Sequence, residues 1–337
     1  MFKSKGILIV LVIGLAMLIV NRLGYDKVIK DNQVDGEVSG AQTQVSDDDL
    51  LKVMVLDVGQ GDSILINTPG NKQILVDGGP NATVLGKLDK YLDFNDKYID
   101  VVVLTHPHAD HVTGLNQVLQ RYQVSEIWMN GAIHTSSVYL EFLDLIKQLE
   151  IPVRIVYICL GDNNQEIGNW KLEIGDAGEW GYGENTRCAN EVELGDENLL
   201  ISFFYPLHNL SGQTIDNLNN SSIVFRLEYG ESSFLLTGDA EAKAEQEIIQ
   251  AIEPELIASQ VLKVPHQGAT DSSSEEFIEA VNPDYAAISV GAGNQYGHPS
   301  LRIIRRYERA GAEVIRTDEN GDIVFVSDGK EVITSSE

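Results

Sequence analysis

Positive charge is what this chain most lacks. Lysine and arginine total 24 against 51 aspartates and glutamates, a formal net charge of −27 over 337 residues. A surface of that sign repels polyanions at long range and has no basic footprint for gripping an extended duplex by its phosphates. Cysteine is nearly absent. Cys159 and Cys188 cannot build a disulfide framework, and their spacing is no zinc ribbon; one bridge between them and two free thiols both stay open. Short repeats and low-complexity tracts are missing, which removes solenoids and arrays. Long apolar runs are missing too, save one. With 43% apolar and 22% charged residues the chain is globular rather than disordered.

The exception is Ile7 to Val20, ILIVLVIGLAMLIV, preceded by Lys3 and Lys5 and followed by Asn21-Arg22. It is short against the ~20 residues of a spanning helix, but Gly6 and Leu23 extend it. No small-x-small cleavage site follows, so residues 1–24 are expected to be a single-pass anchor rather than a removed signal segment. Arg22, Lys27 and Lys30 dilute the charge bias set by Lys3 and Lys5; the expected orientation puts the body outside the cytoplasm, with a secreted form as the alternative. Residues 25–50 are polar and aperiodic and read as a flexible acidic linker.

Patterning begins at Lys52, and the folded body is expected over residues 51–334. KVMVLDV, SILINT and KQILVDGG are short β-branched runs, the last two joined by a Pro69-Gly70-Asn71 turn. VVVLTH, EIWMN, a helical stretch from Val138 to Leu149 and VRIVYI complete a first set. A second set holds LLISFFYP, SSIVFRLEYG, SFLLTGD, VLKVPH, YAAISVG, EVIRT and DIVFVS. Helices are expected near Glu241–Ile252, Glu275–Ala280 and Arg302–Ala310, with Ser273 and Glu276 at capping-box spacing for the middle one. Two face-to-face sheets with helices outside would bury such strands on both faces. Gly161 to Asn198 is poorly patterned and reads as an insertion or long hairpin.

Three of the seven histidines and one aspartate crowd into six residues: His106, His108, Asp110 and His111, directly after VVVLT. Imidazole and carboxylate at a strand-to-helix loop suit Zn²⁺ or a similar ion. In an extended loop His106 and His108 share a side and can grip one ion, while Asp110 and His111 face a second. Asp77, Asp239, His266 and His298 likewise end or follow apolar runs, where the loops of an αβ structure converge on one site. Asp239 has a rival role as cap of the helix that follows it. His134 and His208 read as ordinary loop histidines.

Taken in order, VLDVGQGDSILI, ILVDGG, LTHPHADHVTG, NNSSIVFRLEYG, FLLTGD, VLKVPHQG and GHPS resemble the extracellular metallo-β-lactamase domain of ComEC-type competence proteins and its stand-alone relatives. The resemblance runs from about Lys52 to Val326. It implies an α/β fold, the four-layer αββα metallo-β-lactamase sandwich, with metals at one edge, and hydrolysis of phosphodiester or nucleic-acid substrates. By position it makes His106 and His108 ligands of a first metal. It makes Asp110, His111 and His266 ligands of a second, Asp239 the bridging carboxylate, and Asp77 the acid that supports the metal loop. His298 falls where a substrate-contacting or proton-donating histidine is expected.

Two departures stand out. Relatives often carry a Pro-Gly-His turn before the bridging aspartate, where this chain has Asn219-Asn220-Ser221-Ser222. They also often carry two adjacent histidines where this chain has His266-Gln267. The expected cofactors are two divalent ions, Zn²⁺ first and Mn²⁺ as alternative, supplying hydroxide that Asp110 and Asp239 orient while His298 assists the leaving oxygen. The expected partners are a phosphodiester or other ester substrate and, through the N-terminal segment, the membrane. Two other readings remain: a hydrolase of a lactone, ester or surface-polymer phosphodiester, and a non-catalytic DNA-uptake or ligand-binding module.

Overall fold

Alternation of apolar residues with period two, on both faces of each short run, decides the architecture. The protein is described by a computed structural model covering residues 49–93, 95–158, 191–193 and 199–336. The expected anchor, most of the linker, and both cysteines lie outside the described residues. Among the described residues no helix is long and apolar enough to cross a membrane.

The first half builds β1 (Leu51–Val55), β2 (Ile64–Asn67), β3 (Gln73–Val76), β4 (Tyr98–Leu104), β5 (Gln123–Met129) and β6 (Val153–Ile155). Helices α1 (Thr83–Tyr91), α2 (Ala109–Leu119) and α3 (Ser137–Gln148) join β3 through β6, whose strands run parallel. The second half builds β7 (Glu191–Glu193), β8 (Leu199–Tyr205), β9 (Val224–Tyr229), β10 (Ser232–Leu236), β11 (Val261–Lys263), β12 (Tyr285–Ile288) and β13 (Glu313–Arg316). Helices α4 (Ala242–Ala251), α5 (Pro254–Ile257), α6 (Glu275–Val281) and α7 (Leu301–Ala310) lie between its strands, and the short α8 (Thr317–Asn320) follows β13. The chain then crosses back: β14 (Ile323–Ser327) pairs antiparallel with β1, and β15 (Val332–Ser336) with β14. The sheet orders are β15-β14-β1-β2-β3-β4-β5-β6 and β13-β12-β11-β10-β9-β8-β7.

Side-chain direction follows the pleat. In β1 to β3 Val53, Val55, Ile64, Ile66, Ile74 and Val76 point between the sheets, where Phe225, Leu227, Phe234 and Phe325 meet them. The alternate residues Met54, Leu65 and Leu75 point outward onto α1 to α3. In the second sheet Val224, Leu235 and Leu262 point outward onto α4, α6 and α7. Both sheets are thus apolar on both faces, as parallel strands covered by helices must be, and the expected αββα sandwich is present.

Several local expectations need correcting. VRIVYI is strand only over Val153–Ile155. The helix at Glu275 is capped by Ser274, whose hydroxyl accepts from Phe277 N at 3.3 Å, and not by Ser273. Ser273 instead takes a left-handed conformation and receives the Tyr307 hydroxyl at 3.0 Å. The α1 helix and β15 carry too little periodicity to be read from sequence. Of Gly161 to Asn198, only β7 is described.

The returning strand is pinned by Asp322, 2% exposed. Its carboxylate accepts from Asp57 N at 2.8 Å, Lys87 Nζ at 2.6 Å, Lys90 Nζ at 2.9 Å and the Tyr91 hydroxyl at 3.1 Å. Burial alone would raise the acid's pKa, but the two ammonium groups and the Asp57 amide outweigh it and hold the group below the usual value. A carboxyl whose folded pKa is lowered stabilises the fold above its unfolded pKa of about 3.9, and that stability is lost as pH falls through the folded value. Asp322→Asn is therefore expected to cost about 2–3 kcal/mol at pH 7, since charged hydrogen bonds are replaced by neutral ones. The deficit relative to the parent should shrink below pH 4. Urea denaturation at pH 7 and pH 3.5 measures both; an equal deficit at the two values would refute the account.

Candidate metal centre

The parallel strands deliver the polar residues to one edge. Asp77 follows β3, His106 to His111 link β4 to α2, Asp239 follows β10, His266 follows β11 and His298 lies on the loop after β12. Glycine permits the close approach of these loops. A Cβ on Gly114 would lie 1.8 Å from the Gly78 carbonyl oxygen, and one on Gly61 1.9 Å from that of Asp110. That is why GQGD, VDGG and HADHVTG end or turn on glycine.

Asp77 is fully buried and organises the loop. Its Oδ1 accepts from Thr105 N at 2.9 Å, and its Oδ2 from the Thr105 hydroxyl at 2.7 Å and from His111 Nδ1 at 2.8 Å. Since Thr105 spends its only hydroxyl proton on Asp77, it must accept from His106 Nδ1, 3.1 Å away. Both rings are thereby held through Nδ1, so their Nε2 atoms face inward. His106 Nε2 lies 3.0 Å from His108 Nδ1. His111 Nε2 lies 3.2 Å from Asp239 Oδ2 and 4.0 Å from Asp110 Oδ2. His266 spends Nδ1 on Asp271 at 2.8 Å and turns Nε2 to within 3.9 Å of Asp239 Oδ2. His106, His111 and Asp239 form one set whose ligand atoms all lie within 4.8 Å of one another.

The electrostatics match a cation cradle. Burial, then the charge of His111, depress the pKa of His106 and His108, leaving neutral imidazoles. Burial opposes protonation of His111, but Asp239, Asp77 and Asp110 overcome it and raise its pKa well above normal. Asp239 would be raised by burial, yet the neighbouring histidines, His111 foremost, hold it well below the carboxylate range. Asp239 Oδ1 is buried without a hydrogen-bond partner. An orphaned carboxylate oxygen among inward imidazole nitrogens is satisfied by a metal ion, and the N/O donor set fits a divalent one.

All the residues picked out as ligands come together here, and Asp77 stands behind them. Asp239 does not cap α4: Glu241 occupies the N-cap position. His298 is half-buried, its ring 5.6 Å from that of His266 and stacked on exposed Tyr296. Burial and then His266 lower its pKa. His208 is exposed on the loop after β8. His134 lies nearer than expected, its ring 6.3 Å from that of His108.

Other members were not foreseen. Ser222, in the segment that replaces the Pro-Gly-His turn, is fully buried; its hydroxyl accepts from Asp239 N at 3.1 Å and lies 3.4 Å from His106 Nδ1. Asn219 Nδ2 reaches His266 Nε2 at 3.3 Å. Gln267 lies against Asp110 and Asp239. Beneath them Lys263 Nζ meets Asp62 Oδ2 at 2.7 Å, both side chains 1% exposed. Burial, only partly offset by Lys263, pushes the Asp62 carboxyl up to about 6. Lys263 shows one signal in sequence: a charged residue inside the apolar run VLKV.

Comparison with known proteins bears on the same residues. The family model described as the metallo-beta-lactamase superfamily matches residues 56–292. The chain belongs to that superfamily. The metallo-beta-lactamase fold implies divalent metal binding, and membership makes the chain a metal-dependent hydrolase by class. It is 29% identical over 293 residues to "ComE operon protein 3" of Bacillus subtilis, covering 81% of this chain and 33% of the relative. It is 27% identical over 274 residues to "Competence protein ComA" of Neisseria gonorrhoeae, covering 81% and 32%. The chain thus spans about a third of the length of these curated relatives. Among solved structures, Igni18, a metallo hydrolase from Ignicoccus hospitalis, aligns at TM-score 0.47 and 15% identity over 86% of this chain and 99% of that one. The metallo-beta-lactamase fold protein YhfI from Bacillus subtilis aligns at 0.46 and 12%, over 79% and 95%.

The raised pKa of His111 has a consequence for metal uptake. Its Nε2 proton occupies a ligand position, so a cation must displace it. The affinity for Zn²⁺ of the set that includes His111 is expected to fall as pH drops from 8 to 6, with about one proton released near neutrality when that set fills. Calorimetric titration in buffers of different ionisation enthalpy reads the proton count; a count of zero, with pH-independent affinity, would contradict the assignment.

Proposed function

We propose that this domain hydrolyses phosphodiester bonds at a centre of two divalent ions. The supporting observation is the convergence of six side chains. His106 Nε2, His108 Nδ1 and Asp239 would hold one ion; Asp110, His111 Nε2, Asp239 and His266 Nε2 would hold the other. Bound there, divalent ions supply Lewis acidity and bring the pKa of water toward neutrality.

The chain's own residues account for the rest. Asp77 keeps His106 and His111 in the tautomers that expose their inward nitrogens. Ser222 fixes the backbone of Asp239, and Asp271 aims His266. His298 is neutral near pH 7 because its pKa is lowered, so it offers the leaving oxygen a hydrogen bond rather than a permanent charge.

A phosphodiester is favoured over a neutral ester by what adjoins His298. Helix α7 begins three residues after it, and Arg302, Arg305 and Arg309 share one exposed face at helical spacing. In a chain of net charge −27 a local cationic face beside the site suits an anionic substrate. The overall acidity favours a short single strand or a surface-polymer phosphodiester over a long duplex. One of the curated relatives is named a competence protein, which supports a role in competence; the domain would lie outside the membrane, anchored by residues 1–24.

Alanine at His108 or Asp110 should abolish turnover of a bis-aryl phosphate, and full retained activity in either would refute the reading. His298→Ala should lower kcat by about tenfold, the loss of one hydrogen bond to the leaving oxygen. Reversing Arg302, Arg305 and Arg309 to Glu should reduce kcat/KM on an anionic oligomer at least about tenfold while sparing the aryl ester, as expected of screened surface charge. Equal loss on both substrates would remove α7 from the account.

A further inference from the structure

Gln267 stands where relatives often carry a second histidine, and it lies inside the donor cluster. It is 2% exposed. Its Nε2 donates to Asp110 Oδ2 at 3.3 Å and to Asp239 Oδ2 at 3.4 Å. Both oxygens belong to the ligand set that includes His111 and His266.

The direction of the amide is fixed. Gln60 Nε2 donates to Gln267 Oε1, which turns the NH₂ edge onto the carboxylates. Gln60 comes from the GQGD loop, whose Gly61 packs against the Asp110 backbone. The backbone contributes as well: His266 (φ 47°) and Gln267 (φ 53°) are successive non-glycine residues in the left-handed region, followed by Gly268 at φ 77°. Such conformations persist only where the surroundings impose them, and they concentrate at functional sites.

On the His106–His108 side Gln267 touches only the shared Asp239, and there only Oδ2. His106 Nε2 and His108 Nδ1 face each other at 3.0 Å, and Asp239 Oδ1 is buried without a partner. A cation entering on that side meets two ring nitrogens and an unpartnered carboxylate oxygen. A cation entering on the Asp110 side must also part a buried amide from two carboxylates, each a charge-assisted contact.

We infer that Gln267 makes the two halves of the centre unequal. The His106–His108–Asp239 set fills first. The Asp110–His111–Asp239–His266 set takes its ion only when the Gln267 amide swings aside. The inference rests on the reading that the centre holds two divalent ions.

Calorimetric titration of the metal-stripped full chain with Zn²⁺ and with Mn²⁺, paired with metal quantification after dialysis, tests it. Two binding classes are expected, separated at least about tenfold, the equivalent of one lost hydrogen bond. Gln267→Ala should tighten the weaker class by about tenfold and leave the tighter one within about threefold. Gln267→Glu, which adds a carboxylate, should tighten it further. Gln60→Leu, which frees the amide to turn without removing it, should give a smaller tightening. Equal classes in the parent protein, a weaker class unmoved by Gln267→Ala, or a single ion in both proteins would each overturn the inference. Unequal affinities that respond to Gln267 without turnover of a phosphodiester would uphold it and sink the proposed activity. Turnover with two equal classes would do the reverse.

Discussion

The Asp77 carboxylate is the constraint on which the metal loop depends. One oxygen serves two donors, the Thr105 hydroxyl directly and His111 Nδ1, and through Thr105 it also settles His106. An imidazole has two nitrogens, and only the one that is not otherwise engaged can ligate an ion. Asp77 therefore decides the state of two rings lying 29 and 34 residues away from it in the chain. Its own placement comes from the left-handed turn at the end of β3. The adjoining Gly78–Gly114 contact lets α2 approach that turn. Core packing, a strained turn and a tautomer are one linked arrangement.

Legibility in the sequence tracked how local each feature is. HPHADH after VVVLT announces a metal loop because the ligands are neighbours and the strand before them is plainly apolar. Asp239, His266 and His298 were visible because each ends or follows an apolar run, and the ordered motifs tied them together. The αββα arrangement was likewise readable, since strands apolar on both faces require cover on both. What stayed hidden depends on contacts distant in sequence. Nothing local tells Ser222 from any other serine in a loop; it matters because its hydroxyl lies between the Asp239 backbone and His106. Gln267, marked in the sequence only as a departure from a paired histidine, is a donor to two carboxylates. The return of β14 to pair with β1 cannot be seen in DIVFVS itself; it is visible in Asp322, whose partners come from the other end of the domain.

Lys263 and Asp62 raise a question of cost. Withdrawing two charges from water is expensive, and a buried pair rarely stabilises more than an apolar pair of equal volume. Here the pair adjoins further acids: Asp62 lies with Asp77 and His111 in a set whose ligand atoms are within 4.8 Å of one another, and Asp239 adds its field to Asp62. Several acidic groups packed at that density repel one another unless cations are interspersed. Lys263 is a cation the chain carries itself, and His111, protonated, is a second, whose Nε2 proton a metal ion can displace. The ammonium on β11 and the carboxylate beyond β1 also join the two sheets directly beneath the ligands, which ties the relative position of the sheets to the geometry of the centre.

The net charge of −27 and an anionic substrate are compatible once distance is considered. At physiological ionic strength the Debye length is about 8 Å, so most surface carboxylates do not act on a group bound at the sheet edge. What would act there is local: the ligand set, whatever cations it holds, and the start of α7, where Ser300 N donates to the Gly268 carbonyl. The field that repels a long duplex therefore leaves a short anionic segment free to reach the centre. A polymer too long to keep its distant phosphates away from the acidic surface would pay for every additional turn. Under the proposed activity, selection by length would follow from the charge distribution, before any specific contact with the substrate is made.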